Sequence, residues 1–298
     1  MDQFNIFDVC YPMVKLDKPI RLIELFAGYG SQSMALERLG VPFEHYRCVE
    51  WDKYAVASFN AIHGTNFPPM DIKNVHAADL GVVDTDNHSY IMFYSFPCTD
   101  LSLAGAMKGI GKECPSCGFV TEDKDMLVCP TCGAELQFTR SGLLHEVERL
   151  IREMDELPQI LVMENVPQIH AEKNIKHFNE WIKFLELKGY SNYYEDLNAK
   201  DYGVAQNRVR CFMVSILGKY NFKFPKEMDL RNVVVDYLED DVDEKYYLTG
   251  AKVEKLIQEL VSDGELDKEC ARRQGVDRQT DRQTDRQTDR QTDNRLVP

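Results

Sequence analysis

At 298 residues, with 44% apolar and 10% aromatic side chains, the chain can bury a substantial core and is too apolar for a disordered protein. It has no apolar run long enough for a membrane span, and Met1-Asp2-Gln3-Phe4 lacks the features of a secretory signal, so a cytoplasmic protein is expected. A net charge of −14 argues against strong unaided binding to a polyanion, although a local basic groove is compatible with it.

Residues 20–25 (IRLIEL) read as a buried strand, followed by the turn Phe26-Ala27-Gly28-Tyr29-Gly30 and a helix from about Ser31. Residues 46–50 (YRCVE) give a second strand, with a helix over 54–62. Residues 90–95 and 160–163 are near-continuous apolar runs, as in strands buried on both faces. Between them Leu143, Leu144, Val147, Leu150, Ile151 and Met154 recur at helical spacing, and Ile175, Phe178, Ile182 and Leu185 do so again. Residues 190–197 and 210–217 supply two further strands. Strands alternating with helices predict an α/β fold with a mostly parallel sheet.

Residues 112–138 interrupt this rhythm. They hold Cys114-x-x-Cys117 and Cys129-x-x-Cys132, four of nine cysteines, at metal-ligand spacing. Each pair is followed by glycine (Gly118 and Gly133), as in paired zinc knuckles. Four thiolates with no open position predict a structural zinc that supplies folding energy to a small insert. After Leu217 the pattern thins to short runs over 222–225 and 233–238, an acidic stretch over 239–244 and one amphipathic helix over 252–261. The repeat Asp-Arg-Gln-Thr then occurs four times over 277–292. It has no apolar face and is expected to be disordered. Its period fits a run of the tetranucleotide GACA read in a three-base frame. That suggests a slippage tract with an out-of-frame ending at 294–298 and hence phase variation; a solvated linker is the alternative.

The chemistry-bearing residues fall at strand ends, where doubly wound sheets bind ligands. Cys98 follows the strand over 90–95, either as a nucleophile or as a small buried hydrophobe. Glu164 ends the next strand, as a site carboxylate or a loop acid. Arg208 and Arg210 share one face at the start of another strand, or are surface charges. On the other side, the glycine turn at 26–30 lets a ligand approach the backbone where Cβ atoms are missing. It is not Gly-x-Gly-x-x-Gly, which argues against a dinucleotide enzyme. Glu50 stands where an acid takes ribose hydroxyls, Trp51 offers a stacking face, and Asp71 could reach an adenine amino group.

The segments Leu25-Phe26-Ala27-Gly28-Tyr29-Gly30, Val49-Glu50-Trp51-Asp52, Asp71-Ile72, Phe96-Pro97-Cys98, Glu164-Asn165-Val166 and Gln206-Asn207-Arg208-Val209-Arg210 together resemble the DNA (cytosine-5) methyltransferase family, over about residues 20–217. The resemblance implies a Rossmann-like sheet that binds S-adenosylmethionine through Phe26, Ala27, Gly28, Gly30, Glu50, Trp51, Asp71, Ile72 and Pro97. It implies that Cys98 attacks carbon 6 of a cytosine flipped out of double-stranded DNA. Glu164, kept partly protonated by burial, would then bond N3, Arg210 would hold O2, and Arg208 would support the loop or a phosphate. A restriction-modification, phage or orphan methylase is expected, bacterial or phage-encoded.

The chain departs from the family after Cys98, where Thr99-Asp100-Leu101-Ser102 replaces the commoner Gln-Ser-Phe-Ser, and in lacking the two late sequence blocks. The organisation expected is a catalytic domain over 1–111 and 139–217, a zinc-binding insert over 112–138, a lead-in to a target-recognition domain over 218–264 and a tail over 265–298. A truncated form, inactive unless a separate C-terminal polypeptide supplies the remainder, is the corresponding expectation. A tRNA cytosine-5 methyltransferase and a non-catalytic zinc and nucleic-acid-binding fragment are the alternatives.

Overall fold

The computed structural model describes residues 11–101, 108–230, 233–239, 242–246 and 250–264. Ser102 of the Cys98 motif and the whole repeat tract lie outside the described residues. The chain divides into two compact units, Met1–Val233 and Val234–Pro298.

In the first unit, β1 (Ile20–Leu25) leads through the glycine turn into α1 (Ser31–Arg38), β2 (Phe43–Val49) and α2 (Lys53–His63). A single turn, α3 (Ala77–Leu80), precedes β3 (Ser89–Tyr94). Three two-residue strands, β4 (Lys112–Glu113), β5 (Val120–Thr121) and β6 (Gln137–Phe138), make a separate small sheet in the order β5-β4-β6. Then come α4 (Leu144–Glu153), β7 (Ile160–Asn165), α5 (Ile175–Leu187), β8 (Tyr190–Asn198) and β9 (Val209–Leu217).

The large sheet has six strands in the order β2-β1-β3-β7-β9-β8. The pairs β1/β2, β1/β3 and β3/β7 are parallel, while β9 runs antiparallel to both β7 and β8. The expected mostly parallel α/β fold is observed. The second strand begins at Phe43, three residues earlier than expected. The missed stretch carries Glu44 and His45, polar residues that read as loop but serve an edge strand, where one side faces solvent.

The core forms where the apolar runs dictate. Tyr90, Met92 and Tyr94 of β3, Leu161 and Met163 of β7, and Leu150 and Ile151 of α4 are buried in one cluster. Removing each such side chain from water stabilises the fold by roughly 1.5–3 kcal/mol. Trp181 of α5 enters the same cluster, and its Nε1 donates to the buried Tyr94 hydroxyl at 3.0 Å, satisfying two polar atoms that burial would otherwise strand.

Register decides where chemistry can occur. Leu25 aligns with Val49 and with Tyr94, and Tyr94 aligns with Met163. Four parallel strands therefore end on one rim, where the segments 26–30, 50–52 and 95–98 that follow β1, β2 and β3 open beside the end of β7 at 164–166. Antiparallel β9 starts at this rim, with Cys211 opposite Asn165 and Phe212 opposite Glu164.

Residues after β9 return to this unit. The Asn221 amide donates to Pro12 O at 2.9 Å, and the Met228 amide to Asp201 O at 2.8 Å. The second unit contains α6 (Ala251–Ser262), as its spacing predicts. No helix among the described residues is long and apolar enough to cross a membrane.

Candidate active site

One half of the rim is built on the turn after β1. Phe26 adopts φ 58°, Gly28 57° and Gly30 85°, so the chain coils tightly enough to bring backbone amides together. Phe26 is not a glycine, and holding it left-handed costs on the order of 1–2 kcal/mol, a strain typical of ligand-facing turns. Glu50 locks the turn: its Oε2 accepts from the Gly28 amide at 3.0 Å and its Oε1 from the Asp52 amide at 2.9 Å. Two donors leave further lone pairs on this carboxylate.

Asp52 caps α2 by accepting from the Tyr54 and Ala55 amides, which leaves Trp51 between two fixed acids with 76% of its surface exposed. The Met70 amide donates to Glu50 O at 2.7 Å and brings Asp71 and the buried Ile72 to the same place. Asp71 caps the short turn Ile72–Asn74 through the Lys73 amide at 3.1 Å. A Cβ on Gly28 would meet nothing within 4 Å, so this side of the turn is open.

Gly30 has a different reason for lacking a side chain. A Cβ there would lie 2.4 Å from His63 Nε2 and 2.7 Å from Phe59 Cε2. The expectation that Gly30 yields space to a ligand is therefore corrected: it yields space to α2. An open glycine turn, an exposed indole and two carboxylates fit S-adenosylmethionine, whose adenine, ribose and cationic sulfonium need a flat face, hydroxyl acceptors and negative charge.

The other half of the rim carries Cys98, Glu164 and Arg210. Asn165 Nδ2 donates to Phe96 O at 3.0 Å, pinning the segment that carries Cys98 to the end of β7. Asn165 is buried, and its Oδ1 accepts from the Val166 amide, so both ends of its side-chain amide are engaged. Its place beside Glu164 in the motif was the only sequence signal for this role. Cys98 is half-buried, packed against the main core. Of the other described thiols outside the insert, Cys48 and Cys211 are buried, and burial pushes both up to about 12. Among the described residues Cys98 is the thiol placed for attack.

Arg210 Nε sits 3.0 Å from Glu164 Oε1, with the two side chains 22% and 26% exposed. The burial expected at Glu164 is not found; a guanidinium faces the carboxyl instead, because β9 enters at the rim beside β7. Arg208 is exposed and lies one residue before the strand, where its amide donates to Asn198 Oδ1 at 3.0 Å. Arg210 thus meets Glu164, and Arg208 stands outside that pair.

In the insert the four cysteine sulfurs lie within 4.8 Å of one another, with Cys114–Cys132 at 3.4 Å and Cys117–Cys129 at 3.5 Å. A tetrahedron of Zn–S bonds of about 2.3 Å needs sulfur separations of about 3.8 Å, so the cluster could hold zinc. Gly118 and Gly133, at φ 75° and 74°, return their amides to Cys114 O and Cys129 O. Desolvation pushes the Cys129 thiol up, but the amides of Cys132 and Thr131, together with the neighbouring Cys117 and Cys132 thiols, outweigh it and bring it down to about 6.

A cavity of about 490 Å³ lies away from this rim, between the insert and helices α4 and α5. Several of its charged groups are already engaged: Lys124 and Arg152 pair with Glu148, and His177 lies 3.6 Å from both Glu122 and Glu180. The strand-end rim remains the site where unlike functional groups converge.

A model of the C-5 cytosine-specific DNA methylase family matches residues 20–115 and 133–295, leaving out most of the insert. The type II methyltransferase M2.ScrFI of Lactococcus lactis subsp. cremoris is 29% identical over 292 residues, covering 81% of this chain and 74% of that protein. The orphan methyltransferase M.SPBetaI of Bacillus phage SPbeta is 28% identical, covering 81% of this chain and 62% of its own length. Type II methyltransferase M.NlaX of Neisseria lactamica is 31% identical, covering 77% and 63%. The chain thus spans between 62% and 74% of the length of these relatives. Among solved structures, the Entamoeba histolytica methyltransferase EhMeth superposes with a TM-score of 0.60 at 16% identity, covering 82% of this chain and 66% of that one. The S. pombe Dnmt2 methyltransferase superposes with a TM-score of 0.57 at 20% identity, covering 81% and 66%. At these identities the likeness is one of fold.

Proposed function

The chain belongs to the C-5 cytosine-specific DNA methylase family, and from that premise we propose that it methylates carbon 5 of a cytosine in DNA, with Cys98 as nucleophile. The observation that carries this reading is the rim itself. A half-buried thiol is tied through Phe96 and Asn165 to the strand end that holds the Glu164–Arg210 pair.

Cytosine C5 is too electron-poor to attack a methyl donor unaided. The Cys98 thiolate forms a bond to C6, and the ring electrons move to make C5 carbanion-like. Glu164 faces the N3 edge of the ring, where charge builds, while Arg210 donates to O2. Their ion pair sets the spacing of these contacts before the base arrives. S-adenosylmethionine, when bound, supplies an electrophilic methyl group. Phe26, Ala27, Gly28, Glu50, Trp51, Asp71, Ile72 and Pro97 line its place, and Gly30 supports the turn from behind. Removal of the C5 proton by a base then lets the C6–S bond break and frees Cys98. Arg208, exposed beside the pair, serves a phosphate or the loop.

The target base must leave the duplex at a cost of a few kcal/mol, which contacts to DNA have to offset. At a net charge of −14 the chain has little electrostatic means to do this alone. We therefore place double-stranded DNA and a separate polypeptide carrying the base-reading loops among its partners. Four thiolates hold a structural zinc in the insert, a closed site with no open coordination position.

The test is Cys98→Ser, assayed for labelled methyl transfer to DNA and for cofactor binding. The reading predicts loss of turnover by at least about three orders of magnitude with cofactor affinity retained. Undiminished methylation by that variant would overturn it.

A further inference from the structure

We propose that the base of the cysteine-rich insert is a clamp that positions the nucleophile, with Thr139 and Ser141 as its positioning residues. The proposal deepens the reading of Cys98 given above and rests on it.

The insert departs from the main domain just beyond Cys98 and returns at Thr139. Its two stems are β4 and β6, which pair Lys112 with Phe138 and Glu113 with Gln137. Cys114 follows β4 directly. Below the stems the strands close on a set of polar contacts that the methylation chemistry does not use. The Thr139 amide donates to Gly111 O at 2.9 Å. Thr139 Oγ1 donates to Gly109 O at 2.9 Å and accepts from the Gly142 amide at 2.9 Å and the Gly111 amide at 3.4 Å. The Gly109 amide in turn donates to Asp100 O at 3.0 Å, so the chain just after Cys98 is joined to both stems of the insert at one neck.

Ser141 completes the link. Its Oγ donates to Pro97 O at 2.8 Å, the carbonyl immediately before Cys98, and accepts from the Asp100 amide at 3.3 Å. The Ser141 amide donates to Asp100 Oδ2 at 3.3 Å. Thr139 and Ser141 are fully buried and Asp100 nearly so. Packing is tight enough that a Cβ on Gly111 would lie 2.2 Å from Thr121 O, and one on Gly142 2.4 Å from Gly111 O. The backbone on either side of Cys98, at Pro97 and Asp100, therefore takes its position directly from the Ser141 hydroxyl and, through Gly109, from the Thr139 hydroxyl, both delivered by the far end of the insert. The family model skips residues 116–132 but resumes at 133, so the clamp residues belong to the matched domain and the insert is seated on top of them.

The test measures the reactivity of Cys98 itself. Full-length protein is treated with iodoacetamide, and alkylation is followed cysteine by cysteine by mass spectrometry in wild type, Thr139→Val, Thr139→Ser and Ser141→Ala. Valine keeps the shape and strands three backbone partners; serine keeps the hydroxyl. Thr139→Val is expected to accelerate Cys98 alkylation about fivefold or more through local opening, with Thr139→Ser within about twofold of wild type. Cys48 and Cys211 stay protected in both. Ser141→Ala, a smaller change, moves Cys98 in the same direction and covers the case in which the valine variant does not fold. In single-turnover methylation, Thr139→Val loses about tenfold in rate with cofactor affinity unchanged.

Wild-type alkylation of Cys98 in both Thr139→Val and Ser141→Ala overturns the clamp, as does equal acceleration in Thr139→Ser and Thr139→Val. Because alkylation needs no methyl transfer, the clamp is tested independently of the proposed function: acceleration supports the clamp whether or not the chain methylates DNA, and the proposed function stands or falls on Cys98→Ser.

Discussion

Arg210 Nε and Glu164 Oε1 stand 3.0 Å apart across the β7/β9 pair, where the run of parallel strands gives way to an antiparallel one at the rim. A parallel neighbour would have carried its own strand end to this edge. An antiparallel one brings a strand start, and with it a cation, beside the carboxyl. Both side chains keep about a quarter of their surface, so the pair contributes only about 0–1 kcal/mol to stability. Its value lies in orientation. Glu164→Gln and Arg210→Gln should therefore each lower methyl transfer by about a hundredfold or more while shifting the urea midpoint little. Because each residue holds the other, the double variant should fall well short of the product of the two losses. Steady-state kinetics on the four proteins give the comparison; strictly multiplicative losses would show that the two act independently.

Gly28 and Gly30 should respond differently to alanine. Both are left-handed, at 57° and 85°, but only Gly30 has atoms in the way. Phe59 is fully buried, and His63 is held by contacts to Tyr29 O and Glu37, so neither moves aside readily. Gly30→Ala is expected to cost about 2–4 kcal/mol from combined strain and overpacking. Gly28→Ala is expected to cost about 1 kcal/mol, with weaker cofactor binding as its main effect. Urea unfolding and calorimetric titration separate the two.

Metal should be stoichiometric and structural. Elemental analysis of purified protein is expected to give about one zinc per chain. Chelation should raise hydrogen exchange across residues 112–138 while the amides of β1, β3 and β7 stay protected, because a small insert with three two-residue strands has little core of its own. Absence of zinc in wild type, or exchange unchanged by chelation, would contradict this.

A pH dependence follows from Glu148. Burial pushes this carboxyl up, but His145, Arg152 and Lys124 outweigh it and bring it down from 4.5 to about 2. A depressed carboxyl contributes stability above its unfolded value and loses it as pH falls. Glu148→Gln should therefore destabilise by roughly 1–2 kcal/mol at pH 7, after allowance for solvent screening, and the gap to wild type should close between about pH 4.5 and 2. Urea midpoints of the two proteins across that range give the measurement.

Sequence patterning reached some of these features and not others, for physical reasons. Strands β3 and β7 announce themselves because both faces are buried, and α4 and α5 because their apolar residues keep one helical stripe. The start of β2 did not, since an edge strand tolerates Glu44 and His45. The strand-end acids and Cys98 were legible because a parallel sheet sends its strand ends to one rim. The partner of Glu164 was less so: whether Arg208 or Arg210 reaches it depends on where β9 begins, and strand limits are set by pairing. The Asp100–Ser141 contact joins residues 41 apart across an intervening subdomain, and no local pattern reports such a separation.

The most direct measurement is covalent trapping on DNA containing 5-fluorocytosine, with S-adenosylmethionine present. Fluorine at C5 cannot leave as a cation, so an enzyme that attacks C6 through sulfur stays bonded to its target after methyl transfer. The account predicts a denaturant-stable protein–DNA adduct that maps to the peptide carrying Cys98 and is absent from Cys98→Ala. An adduct on another residue, or one that survives that substitution, would contradict it.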